Sequence, residues 1–582
     1  MLGAKGRGLG TYANNGARYV VVGRPIIMGH ALDDRPDAFL RWVEDQSHGQ
    51  GLASAASDIS PRLSGMFAIF EFNDDGVSVL SDQMGFRPVY IARAEDGRLL
   101  GMGTHVESLA HACGLSSDID LVSLAEMFTH NHISFPYTTR RSIRELEPCS
   151  ITSVQPGSSK VESRVLWEPT EPERFPDESQ ARSMLRSALL QAGDDLTRGT
   201  ERAAVLLSGG MDSRAVLASI PEGRVCTALT YVTRENRETR IAGQVARAKG
   251  VDQMLVERGE DYFPELIARG LALLGMELRG NCHGMCLSDR GLCDRFDVVI
   301  GGQLSDTLLK DHFMPFQKRD TLRRVRFLQR CKRALLGKRP PRPAGPGHTT
   351  GRALLEQELV PEIAKAVRER RSLRLEQVQR VRPTTADEWH RFWPCSRQDD
   401  SAHTLGNSRL MCSDTLFAHR SIVEASSMLD PRWRVDGWLA DEVFLELCGP
   451  LAEIDNANTG LPANAKRSAV SRAAKQAKKN PGHSSGEAKG DWNNVQTSWV
   501  NPVEMQKHAP FWIENRARLV GSEHVRVLDS VIGRGVTAMI GSYQDDLPST
   551  ANHIAMQMAL WLDGLGELDA GTKNGTIEEH AG

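Results

Sequence analysis

Ser208-Gly209-Gly210-Met211-Asp212-Ser213 is the stretch from which the chain is read. Ala203-Ala204-Val205-Leu206-Leu207 precedes it and reads as a buried parallel strand, and Arg214-Ala215-Val216-Leu217-Ala218-Ser219-Ile220 follows as a helix. Strand, glycine turn and helix start are the parts of an anion site: glycines let the backbone come close to a ligand, and the first N–H groups of the helix point outward. Ser208 and Ser213 add hydroxyls. Asp212 repels a phosphate, so its expected task is to hold a divalent cation that bridges to phosphate oxygens. The plainer reading is an ordinary capped helix start. Both hydroxyls, both glycines and the acid at one strand end favour the nucleotide site.

Downstream, Val225–Val232 reads as a strand, Glu238–Lys249 as a helix and Val251–Val256 as a third strand. This alternation means a parallel sheet with right-handed crossovers, whose ligands sit beyond the carboxyl ends of the strands. Asp297-Val298-Val299-Ile300-Gly301-Gly302-Gln303-Leu304-Ser305-Asp306 repeats the design of strand, glycine pair and acid. Alone, Gly301-Gly302 is a plain turn. Beside the first motif, Asp306 joins Asp212 as a two-acid magnesium cradle.

The 582 residues exceed what one core holds, and 40% hydrophobic with 25% charged residues fits an ordinary globular protein. A net charge of −3 selects no charged partner, and no apolar run is long enough for a membrane helix, so a cytoplasmic protein is expected. Ten cysteines are too sparse for a disulfide scaffold, and the spacing of Cys282, His283, Cys286 and Cys293 suits no structural zinc site. Between Gln317 and Arg342 stand eleven Lys or Arg and one acid, read as a solvated helix face and loop or as a docking surface for an acidic peptide. Phe327 is the one aromatic residue there, which disfavours nucleic acid.

Residues 1–165 read as mostly β, with hairpin signals at Phe67–Phe72 with Val77–Leu80 and at Pro88–Ala92 with Leu99–Gly103. Leu63-Ser64-Gly65-Met66-Phe67-Ala68 and Ser81-Asp82-Gln83-Met84-Gly85-Phe86-Arg87-Pro88-Val89-Tyr90 resemble segments of the glutaminase domain in asparagine synthetases. That family's domain opens with a cysteine nucleophile after the initiator Met. This chain opens Met1-Leu2-Gly3-Ala4 and its first cysteine is Cys113, so the resemblance implies a degenerate, non-hydrolytic relic. The expected fold class is α/β: an N-terminal glutaminase-like (Ntn-type) antiparallel β-sandwich over 1–165, a proline-broken linker over 166–180, a parallel-sheet ATP α-hydrolase (PP-loop) synthetase domain over 181–480, and a helical extension with an acidic tail over 481–582. From Trp389 to about Ala465 the pattern is helical, with Asn407–Ala425 resembling the synthetases' substrate-side helices. The extension is expected to start as a polar loop and end in one amphipathic helix near Ala551–Leu565.

The resemblance implies a ligase that activates a carboxylate as its acyl-adenylate and passes it to an amine, with ATP and Mg2+ as cofactors and AMP and pyrophosphate as products. No Walker lysine is present, which disfavours a kinase. Carried over from the family are Leu207, Leu229, Gly301 and Gly302 as backbone contacts to adenosine; Ser208, Gly209, Gly210, Asp212 and Ser213 to pyrophosphate; and Asp212 and Asp306 to magnesium. The synthetases' catalytic lysine has no counterpart within Ile454–Pro462, and Lys466 stands nearest. Gln303 and Thr307 replace the second loop's glutamates, which leaves His283, Glu277 and His312 as candidate proton acceptors. Without a glutaminase, the chain most resembles the lasso-peptide macrolactam synthetases, with a precursor peptide as substrate and a leader-processing protease as partner. An ammonia-dependent asparagine synthetase, a β-lactam synthetase-like ligase and an inactive binding partner are the alternatives.

Overall fold

The computed structural model describes residues 9–14, 16–30, 36–155, 159–259, 261–333, 355–398, 401–465 and 499–574. Two antiparallel sheets build the first part. Strands β1 (Leu9–Asn14), β2 (Ala17–Ile27), β3 (Leu63–Asn73) and β4 (Gly76–Ser81) run side by side; β5 (Tyr90–Arg93), β6 (Leu99–Gly103) and β7 (Ile143–Glu145) form a smaller sheet; β8 (Ser150–Val154) and β9 (Val161–Val165) return to the first. Period-two burial divides the faces of the larger sheet. Tyr19, Val21, Phe67 and Ile69 pack under the helices Pro36–Ser47 and Leu52–Ile59, whereas Ala68, Phe70 and Val79 meet Val89 of the smaller sheet's approach. Both expected hairpins are present. The mostly-β reading missed these two helices and two more, Val106–Ala112 and Leu121–His130, because each is 12 residues or shorter, too little for a helical period to stand out.

The second part is a five-stranded parallel sheet of β10 (Ala203–Leu206), β11 (Val225–Val232), β12 (Asp252–Glu257), β13 (Val298–Gly301) and β14 (Ser413–Thr415), in the order β12-β11-β10-β13-β14. The chain winds outward from β10 to β12, then crosses back to β13. The strand order therefore reverses between β10 and β13, and a crevice opens at that reversal. Strand β14 corrects the helical reading of Asn407–Ala425. Ser413, Asp414 and Thr415 carry no apolar pattern, yet they are buried and extend the sheet by pairing with β13. The helices Glu178–Thr197 and Met211–Ser219 flank the sheet where expected.

The stretch read as a linker is tied down. The Arg382 guanidinium donates to the Pro169 carbonyl, and Glu171 accepts from Thr384 N at 3.1 Å and Thr385 Oγ1 at 2.7 Å. Charged side chains also join the two parts. Arg87 donates to Ser408 Oγ at 2.7 Å, Arg420 Nε to the Leu63 carbonyl at 2.9 Å, and Arg397 to Glu145 at 2.6 Å. The segments that resemble the glutaminase family thus lie at this interface: Ile26, Met66, Met84 and Phe86 share one apolar cluster with the Val205 and Ile300 side of the parallel sheet.

After residue 499 the chain is richer in helix than one C-terminal element. Pro502–His508, Pro510–Val520 and Val536–Ile540 precede the long helix Ser549–Asn574, and prolines at the first helical positions start two of them. Ile554, Met558 and Leu562 of the long helix pack in the cluster that holds Leu124, Met127 and Phe128. Trp561 donates to Glu107 at 3.0 Å while the Arg140 guanidinium lies 4.6 Å over its ring. Of the basic run, Phe316–Arg333 is helical and its first cations are paired: Lys318 with Asp387 at 2.7 Å, and Arg323 with Asp436.

Arg397 and Glu145 are 3% and 1% exposed, so removing one leaves the other charged and buried. Glu145→Ala should lower folding stability by about 3–5 kcal/mol. Calorimetry should show both parts melting in one transition, displaced downward.

Candidate functional site

Strand β10 ends at Leu206, and the turn that follows needs glycine. Gly209 has φ +70°, and a Cβ there would press on Ile241 Cγ2 at 3.1 Å and on Ala242 N and Glu238 O at 3.2 Å. The turn is also fastened from within. Ser213 Oγ accepts from Ser208 N at 3.2 Å and sits 3.1 Å from Ser208 Oγ, so the two hydroxyls face each other across the loop. Arg214, fully buried, reaches backward from the helix and donates to the carbonyls of Leu451 (2.7 Å), Ile454 (2.8 Å), Asp455 (2.7 Å) and Gly209 (3.3 Å). A guanidinium with this many partners fixes the loop against the segment 451–465, where the short hairpin Asp455–Asn456 and Leu461–Pro462 stands.

The second loop approaches from β13. Leu304 takes φ +74°, a left-handed conformation uncommon outside glycine, and opens the helix Ser305–Leu309. Gly302 stands where a Cβ would lie 3.4 Å from Ser213 N, so the two loops pass close together. Ser305 Oγ donates to Asp212 Oδ1 at 2.9 Å.

Between the loops lies an ammonium. Lys310 Nζ is 2.6 Å from Asp212 Oδ1 and 2.8 Å from Asp306 Oδ1. Burial alone would lower the pKa of this group, but the two carboxylates outweigh it and hold the ammonium above the usual lysine range. The two acids therefore already share a single cation. That donor set fits Mg2+, which takes one or two carboxylates and fills its octahedron with water and phosphate oxygens. Among the described residues no group of three or more His, Cys, Asp or Glu could hold a metal ion, so the protein would supply these two donors and the ligand the rest.

A cavity of about 300 Å³ opens here. Leu207, Ser208, Asp212, Ser213 and Leu229 line one half, with Gly302 and Asp306 across from them. Gly209, Gly210 and Gly301 shape the loops without facing the cavity. The other half has walls of Tyr231, Arg258, His283, His403, Asn407 and Trp499. His283 stacks on His403 with ring centroids 4.8 Å apart, and Trp499 meets His283 edge-on at 4.6 Å. The Arg258 guanidinium lies over the rings of Tyr231 and Phe263, at 4.8 and 4.9 Å. Burial, helped by Arg258 and Arg279, drives both imidazoles neutral: His283 falls well below the usual range and His403 to about 4.

Of the candidate proton acceptors, His283 alone lines the cavity. Glu277 is buried elsewhere, accepting from Thr139 Oγ1 at 2.6 Å, and His312 packs on Phe313 at 4.6 Å. Lys466 lies outside the described residues. The sequence reading missed Lys310, Arg258, His403 and Trp499. Lys310 had a signal, an i,i+4 spacing from Asp306 along one short helix. The others come from distant segments and share no pattern.

Two family models match the chain: a glutamine amidotransferase domain over residues 51–165 and asparagine synthase over 184–434. No curated protein matches it. Among solved structures, one entitled as the allosteric regulatory enzyme of purine biosynthesis is 12% identical, with 55% of this chain and 58% of that one covered and a TM-score of 0.18. The glutamine phosphoribosylpyrophosphate amidotransferase from B. subtilis, complexed with ADP and GMP, is 13% identical over 43% and 47%, with a TM-score of 0.15. The chain thus spans less than two thirds of either.

Arg214→Leu should cost about 2–5 kcal/mol by stranding buried carbonyls, read as a lower urea midpoint. Gly209→Ala should leave a folded protein whose Ser208–Ser213 loop is displaced, read as faster backbone hydrogen exchange in that loop, because the added Cβ would press on Ile241 and Ala242.

Proposed function

We infer that this asparagine synthetase-like chain is an ATP-dependent carbon–nitrogen ligase that forms AMP, and that its reaction closes a macrolactam within a precursor peptide. The observation that carries the reading is the meeting of two carboxylates and a hydroxyl-lined glycine loop in one wall of a cavity whose other wall is aromatic and imidazole.

The loop Ser208–Ser213 offers hydroxyls and helix-start N–H groups to the pyrophosphate portion of ATP. Leu207 and Leu229 flank the same half, positioned for adenosine. Asp212 and Asp306 would hold Mg2+, which supplies charge neutralisation to the departing pyrophosphate. A substrate carboxylate entering from the far half would meet the α-phosphorus there, and the acyl-adenylate would form with loss of pyrophosphate.

The far half suits an amine inside a larger, partly apolar substrate. Free aspartate brings an ammonium and two carboxylates that each need a partner. This wall offers neutral imidazoles, an amide, an indole and a guanidinium already engaged by aromatic rings. His283 is buried, and its Nδ1 has no hydrogen-bond partner among the described residues. It is assigned as the group that takes the proton from the attacking amine. The polyphosphate charge arriving in the same cavity raises its basicity at the moment a proton must be accepted. The amine then displaces AMP and the amide closes.

The test is to incubate the protein with ATP, Mg2+ and short precursor peptides encoded beside it, and to follow nucleotide and peptide by mass spectrometry. AMP together with a peptide lighter by one water supports the reading. ADP, or AMP formed only with aspartate and ammonium, overturns it. His283→Ala should slow ring closure by about 10²–10³-fold while nucleotide binding is kept, and Asp212→Asn should lower turnover by roughly 10²-fold or more.

A further inference from the structure

The side chain that occupies the two-acid cradle is anchored along its whole length. Its carbonyl accepts from Arg434 at 3.0 Å. Its methylene stem runs beside Gly437, whose φ is +61° and where a Cβ would come within 3.0 Å of Lys310 Cδ and 3.2 Å of Cγ. Any side chain at 437 would push the stem aside, so the backbone there is shaped to let the ammonium reach Asp212 and Asp306. Its place is built into the fold, not left to a loose surface lysine.

We propose that Lys310 is a resident counter-ion that bars the cradle to a bare divalent cation and lets the metal enter only together with ATP. A metal arriving alone must expel the ammonium from both carboxylates, and Glu238 of the helix Arg237–Lys249, itself buried, is the one other acid among the described residues lining the cavity. Metal-bound ATP brings the receiving group with it. Phosphate oxygens would accept the ammonium that Asp212 and Asp306 release to the metal, which would keep the exchange near balanced in charge. Lys310 is in this sense a positioning residue: it keeps Asp212 and Asp306 drawn together beforehand and joins the phosphate-facing groups afterward.

The proposal rests on the assignment of Asp212 and Asp306 as the metal's donors, and the experiment separates the two claims. Mn2+ binding is followed by electron paramagnetic resonance, without and with ATP, in the full chain and in Lys310→Met. The unaltered protein should bind Mn2+ alone weakly and far more tightly with ATP. Lys310→Met should bind Mn2+ alone about tenfold or more tightly than the unaltered protein, because the competing occupant is gone, and the gain from ATP should shrink. A lysine needed only for packing would loosen metal binding instead. Equal or weaker Mn2+ binding by Lys310→Met overturns the proposal, with Lys310→Gln read in the same way should the methionine variant fail to fold. Adding Asp212→Asn to Lys310→Met tests the premise: if Mn2+ affinity does not fall, the metal is held elsewhere and the assignment of the donors fails along with it.

Discussion

Strands β10 and β13 lie side by side in parallel register, with Ala203 opposite Val298 and Val205 opposite Ile300, and the site depends on that adjacency. Both strands are buried throughout, so their register is set by the core rather than by the loops. Their carboxyl ends then fall at one level, and two glycine turns emerge close enough for Asp212 and Asp306 to touch the same ammonium. Because the sheet order reverses between these strands, no crossover covers the crevice.

The first part of the molecule is joined to this sheet by arginines as much as by apolar contact. Arg87, Arg397 and Arg420 each extend across the interface to an acceptor on the other part, and Asp82 organises the segment from which Arg87 departs by accepting from the backbone N–H groups of Phe67, Met84, Phe86 and Arg87. Burial nevertheless pushes the Asp82 carboxyl up to about 7, against those four donors. The segments Leu63–Ala68 and Ser81–Tyr90, legible as motifs, therefore serve here to orient one half of the chain on the other.

Much of this could be read from residues in order. The strand before Ser208, the crossover pattern through Val256 and the repeat of strand, glycines and acid at Asp297–Asp306 are local signals, each written in a continuous run. What escaped was written across the chain. Ser413–Thr415 has neither apolar alternation nor β-branched enrichment and is a strand only because β13 offers an edge. The helix Pro36–Ser47 and its neighbour are too short for their period to stand out in the sequence, and the larger sheet gives them a face to cover. The aromatic wall draws Tyr231, Arg258, His283, His403 and Trp499 from separate segments, and no spacing encodes such a set. Lys310 follows that motif by one helical turn, and only the fold shows that its ammonium returns to Asp306 and Asp212.

One core joins residues more than 400 positions apart in the chain. Leu124, Met127 and Phe128 share it with Ile554, Met558 and Leu562, and the helix Pro361–Val381 covers only part of that face beforehand. At about 5–20 residues per second, the ribosome leaves that apolar face partly bare for tens of seconds after it first emerges. Its exposure during synthesis is a kinetic hazard created by connectivity alone, which a holdase chaperone would relieve and which a truncation before Ser549 would make permanent.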